Sequence, residues 1–197
     1  MENERKTDRS ADMGMDEHRL SDILLASQIK ATDIYETPPQ IIWIDNSTIA
    51  TLGNFSASTG KAKSKKTFNV SALVAASLAG KQVLNYRAHL PEGKQRILYV
   101  DTEQSRFHCR SVLERILRLA GLPTTTDPEN LDFFCLREYS PSVRIEVIDY
   151  ALRQQKGYGL VIIDGIRDLM LDINNAGESV EVINRMMEWS SRYDLHI

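Results

Sequence analysis

Short apolar runs constrain this chain most: 41–45 (IIWID), 96–101 (RILYVD), 131–136 (LDFFCL) and 160–164 (LVIID). All read as strands, and RILYVD and LVIID are unbroken enough to be covered on both faces. A further strand is predicted over 48–58 (TIATLGNFSAS), and LHI at 195–197 opens another. Helical patterns fill the gaps. Phe68, Val70, Leu73, Val74 and Leu78 share a helical face within 66–80, with Gly80 as its stop. Helices are also predicted over 111–121, closed by Gly121, from Ser140 as cap and Pro141 as first helical residue, and over 178–194. Strands alternating with helices imply an α/β fold of three layers, with a mostly parallel central sheet between helices. The last strand opens at Leu195 and the chain stops at Ile197, which reads as a domain incomplete at its C-terminus.

The 197 residues suffice for one domain with a sizeable core. A net charge of −3 excludes a wholly basic nucleic-acid glove, so any contact with DNA would rest on a local basic patch. Cys109 and Cys135 have no metal-type spacing and form no disulfide framework; Cys135, in an apolar run, is expected to be a buried thiol, and Cys109, with mixed neighbours, is left open. No apolar run approaches the roughly 18 residues of a membrane span. MENERKTDRS has no apolar core of a secretory signal, so a cytoplasmic setting is the default expectation. His18, His89, His108 and His196 show no ligand spacing, and Trp43 and Trp189 read as packing residues. The region 1–39 separates from the domain at 40–197. Residues 1–17 read as a disordered tail, and an amphipathic helix over 18–34 carries Leu20, Ile23, Leu24 and Ile34 on one stripe. It serves either as a linker or docking arm for a neighbouring subunit or as a helix packed on its own domain. The polar stretch 85–96 (NYRAHLPEGKQR) reads as a surface loop, with contact to a base or a partner as the alternative.

Between a predicted strand and helix stands TGKAKSKKTF, 59–68. A phosphate loop follows G-x-x-x-x-G-K-[ST]; its glycines let backbone N–H groups face phosphates, its lysine reaches the β and γ oxygens, and its hydroxyl holds Mg²⁺. Taking Gly60-Lys61 as the glycine-lysine pair puts Phe55 and Ala62 where a glycine and a hydroxyl belong. Taking Gly60 first loses only the second glycine, to Lys65, and leaves Lys66 and Thr67 opening the helix. Lys61, Lys63, Lys65 and Lys66 crowd positive charge at a helix N-terminus that already favours anions, an arrangement an anion would relieve. A solvated lysine turn is the competing reading.

Acids close the strands downstream. LVIID ends in Asp164, the pattern that orients Mg²⁺ in P-loop NTPases. RILYVDTEQS ends in Asp101 and Glu103, at the strand end where parallel sheets bind ligands. A glutamate there can take a proton from water attacking a γ-phosphate; alternatively, Glu103 merely starts the next helix.

The order of loop, strand-end glutamate and strand-end aspartate resembles the RecA-like P-loop ATPases over about residues 40–197. VIIDGIRDLMLDINNAGESVEVINRMMEWSSRYDLHI looks most like the branch of RepA-type replicative helicases and related ATPases of plasmids and mobile elements. The resemblance implies an ATP- and Mg²⁺-dependent motor domain acting on DNA, single-stranded by preference, within a homo-oligomeric ring. Gly60, Ser64, Lys65, Lys66 and Thr67 would form the phosphate loop, with Lys61, Ala62, Lys63 and Phe68 also binding the nucleotide. Lys66 would meet the phosphates, Thr67 and Asp164 the metal, and Glu103 would be the catalytic base. Asn174, Asn175 and Glu178 would lie in a segment facing the nucleotide or a DNA-facing loop, and Arg167 is a surface candidate for a finger reaching a neighbour. Lys65 departs from the family's glycine, and nothing after Ile197 supplies the family's polar sensor. A nucleotide-binding regulatory or assembly module of low turnover is the alternative, and a plain anion-binding scaffold a third.

Overall fold

The structure is a computed structural model that describes residues 17–61, 64–172 and 174–197. The expected N-terminal tail falls almost wholly outside these, as do Ala62, Lys63 and Ile173. The chain divides into a unit ending at Thr37 and one spanning Pro38–Ile197. The described part of the first unit contains α1 (Glu17–Ser27), which buries no residue. This helix ends earlier than its apolar stripe suggested: the chain is already non-helical at Ile29 and Ile34, and both are exposed.

In the second unit, β1 (Gln40–Ile44) pairs antiparallel with β2 (Ser47–Thr51) and with β3 (Tyr86–Ala88). The strand expected over 48–58 therefore stops at Thr51; Gly53, at φ 74°, takes a left-handed turn that most side chains resist. The stretch expected to be a surface loop contains β3, whose Ala88 is buried.

The central sheet is parallel, with β4 (Arg96–Asp101) between β5 (Leu131–Cys135) and β6 (Tyr158–Asp164). Residues 195–197 extend it: the Val161 amide donates to His196 O at 2.8 Å and the His196 amide to Gly159 O at 2.9 Å. On their far side lie residues 53–56, with the Ser56 amide donating to Ile197 O at 2.8 Å and the Ile197 amide to Asn54 O at 3.2 Å. The segment feeding the phosphate loop thus joins the same sheet.

The two-residue period of a strand divides the core. Ile97 and Tyr99 of β4 pack towards α2 (Lys66–Ala79) and α3 (Arg106–Ala120). Leu98 and Val100 pack towards α4 (Pro141–Gln154) and α5 (Ala176–Tyr193). These are the layers of a three-layer α/β fold around a parallel sheet. Glycines in left-handed conformation close α2 and α3 as expected, at Gly80 and Gly121. However, α3 begins at Arg106, five residues before the apolar pattern suggested, because its first three residues are exposed and Phe107 points outward. Phe68 also faces solvent rather than the core. Cys135, expected to be buried, is half-buried, and Cys109, which its mixed neighbours left open, is buried; both are free. Trp189 is buried and donates to Asp149 at 3.0 Å, whereas Trp43 is half-buried beneath the Arg87 guanidinium.

Candidate functional site

The loop between residues 56 and 66 leads from the sheet into the N-terminus of α2, where backbone N–H groups lack intrahelical partners. Lys65, the residue in place of glycine, adopts φ 62° and ψ 27°. The backbone thus keeps the left-handed conformation that a glycine would supply, at a cost of about 1–2 kcal/mol for a residue with a Cβ. The Lys65 side chain borders the cleft beside the loop. Lys66 folds back, its Nζ donating to Gly60 O at 2.9 Å and Lys61 O at 3.3 Å, so one ammonium ties the start of α2 to the start of the loop. Gly60 lies against Ser64: an added Cβ would stand 2.7 Å from Ser64 Oγ.

Asp164 closes β6 directly beside Asp101 at the end of β4. The Tyr99 hydroxyl donates to Asp164 at 3.0 Å. Burial pushes the Asp164 carboxyl above its ordinary range and the neighbouring Asp101 adds to this, while Tyr99, the Thr67 hydroxyl and the Lys66 ammonium oppose it. Loop and strand end therefore meet: Thr67, Lys66 and Asp164 interact electrostatically without any residue linking them in sequence.

Glu103 follows β4 on a turn and precedes α3, so it is not that helix's first residue. Burial raises its carboxyl too, with Asp164, Asp168 and Asp101 as further causes and Lys66 opposing them. Gly165, after β6, holds φ 102°, and a Cβ there would lie 2.3 Å from Thr102 Oγ1 and 2.6 Å from Glu103 Cγ. Only a residue without a side chain lets the two strand ends approach this closely. The Thr102 hydroxyl lies 2.8 Å from Gly165 O and 3.1 Å from both Asp164 O and Asp168 Oδ2, tying the turns together.

The donors suit a magnesium ion shared with phosphate. Among the described residues no group of His, Cys, Asp and Glu forms an all-protein metal cage. Magnesium is typically held by one or two carboxylates together with substrate phosphates and water, and Asp164 with the Thr67 hydroxyl offers that kind of partial set.

Beside the loop, Lys65, Thr67, Phe68 and Arg115 line a shallow cleft of about 440 Å³. Arg115 of α3 was not singled out by its sequence context, since its approach to Phe68 comes from helix packing. Asp168, Thr102 and Gly165 were missed similarly; the pairing of neighbouring strand ends is the signal that joins them.

Other expected site residues have local roles. Asn175 caps α5, its side chain accepting from the Gly177 and Glu178 amides. The Glu178 carboxylate accepts from the Leu171 and Asp172 amides at 2.6 and 3.0 Å. Asn174 donates its amide to Asp172, and Arg167 is exposed. Ala62 and Lys63 of the loop lie outside the described residues.

No curated protein matches the chain. A family model, described as an AAA domain, matches residues 20–197. With the phosphate-loop framework and the parallel sheet behind it, the chain belongs to the AAA domain family of P-loop ATPases.

Proposed function

We propose that this chain is an ATP-hydrolysing RecA-like motor domain of the RepA-type helicase branch, acting on single-stranded DNA in the replication or mobilisation of a plasmid or mobile element. Support comes from the convergence of the 60–67 loop, Glu103 and Asp164 at the carboxyl ends of neighbouring parallel strands. In this reading Lys66 leaves the carbonyls of Gly60 and Lys61 for the β and γ oxygens of ATP, and loop amides from Gly60 to Thr67 surround the triphosphate. Thr67 and Asp164 hold magnesium, which when bound neutralises phosphate charge. Glu103 accepts a proton from water as that water attacks the γ-phosphorus and the bond to the bridging oxygen breaks. Phe68 and Arg115 border the space for the base. Copies assemble into a ring, with an arginine or lysine of a neighbour completing the site, so the isolated chain turns over slowly.

The expected result is that Lys66→Ala abolishes the rise in melting temperature caused by Mg-ATP. Glu103→Gln keeps that rise and loses phosphate release by 10² or more. Normal turnover by Glu103→Gln would refute the assignment, and absence of any single-stranded DNA effect on turnover or binding would remove the motor. A second reading, a nucleotide-binding regulatory module of low turnover, draws on the strained Lys65 beside the loop. It predicts tight Mg-ATP binding with no phosphate release in the presence of DNA.

A further inference from the structure

We infer that Asp101 is a positioning residue that fixes the turn carrying Glu103; the inference rests on the reading of Glu103 as the base. Asp101 is completely buried. Its Oδ1 accepts from the Glu103 amide at 3.0 Å and the Gln104 amide at 2.7 Å, and its Oδ2 accepts from Gln104 Nε2 at 2.9 Å. Among the described residues no lysine or arginine forms an ion pair with it. A buried carboxylate without a cation is expensive unless hydrogen bonds replace its water, and here the bonds come from the two residues that set the Glu103 backbone.

The turn is gripped from its other side as well. The Gln104 carbonyl accepts from the Cys135 thiol at 3.3 Å and the Cys109 thiol at 3.6 Å. The Leu136 amide, just after β5, donates to Asp101 O at 2.8 Å, which holds the end of β4 where the turn begins. Asp101 is not serving as a helix cap, because α3 starts after Ser105. What its carboxylate fixes is the stretch between strand and helix. Displacing a reacting group by about 1 Å can lower a rate on the order of 10²-fold.

Position and charge are separable at this site. Asp101→Asn removes the charge but keeps an oxygen for both amides, and the Gln104 amide can turn over to match. Asp101→Glu keeps the charge and moves it by one methylene. Phosphate release at saturating Mg-ATP and affinity for a fluorescent ATP analogue are measured for both, beside the unsubstituted chain and Glu103→Gln. We expect Asp101→Asn to stay within about tenfold in kcat and Asp101→Glu to fall about 10²-fold, both binding the analogue within about threefold of normal. A larger loss in Asp101→Asn than in Asp101→Glu would overturn the inference, as would parallel losses of affinity and kcat. Should Asp101→Glu fail to fold, Asp101→Asn alone decides: a 10²-fold loss of kcat in the folded variant refutes positioning. Active Glu103→Gln would defeat the underlying reading; inactive Glu103→Gln with a fully active Asp101→Glu would defeat only the inference.

Discussion

Asp164 lies half-buried at the end of β6, beside Asp101 and within the field that also raises Glu103. Its protonated form is favoured by folding, so the stability it contributes is present below the ordinary value of 3.8 and is lost as pH rises through its raised folded value. Asp164→Asn mimics the protonated form. In the absence of nucleotide and magnesium it should therefore be more stable than the unsubstituted chain at neutral pH, with the gap closing in acid. Urea unfolding at pH 7 and below pH 4 checks this, and an unstable variant at neutral pH would contradict it. The place of this aspartate at a strand end was legible in LVIID, because the apolar run stops there. Its surroundings were not: Tyr99 and Thr102 reach it through strand register, which distant residues set together.

At the scale of elements, α2 and α3 bring Phe68 and Arg115 to one cleft. If the base lies there, stacking contributes about 1–3 kcal/mol. Phe68→Ala should then weaken ATP roughly tenfold while leaving inorganic tripolyphosphate unaffected, whereas Lys66→Ala weakens both; competition against a fluorescent nucleotide measures each. Equal losses for the two ligands in Phe68→Ala would exclude a base contact. The elements differ in how well the chain announced them. β4 and β6 were readable because burial on both faces demands unbroken apolar residues. The short β3 was hidden, since YRA carries a charged residue and gains its place by pairing with β1. The start of α3 was hidden because Arg106, Phe107 and His108 are all exposed and show no apolar period. α1 showed its stripe, yet Leu24 and Leu25 remain exposed, so the stripe marked amphipathicity rather than a core within its own unit.

At the scale of the whole molecule, the layered fold followed from alternation alone, whereas the loop's attachment depended on contacts no local pattern reveals. His196 is the clearest case. It is buried, with Nδ1 2.9 Å from Thr51 O and Nε2 3.0 Å from Ser56 Oγ, a pattern met by a neutral ring donating to the carbonyl and accepting from the hydroxyl. Burial lowers its pKa from 6.5, opposed by the Thr51 carbonyl. Its contribution to stability is therefore present above 6.5 and lost as pH falls through the lowered value. Unfolding at pH 7.5 and pH 5 should show a fall in stability that His196→Gln lessens; an unchanged slope would remove the assignment. This residue and its neighbours splice residues 53–56 to the rest of the sheet across a sequence separation of 140 between Ser56 and His196. Such distant closure is entropically slow to form. On a growing polypeptide the phosphate loop would have no anchored β edge until the residues around His196 emerge, so nucleotide-binding competence would wait for a segment 140 residues downstream of Ser56.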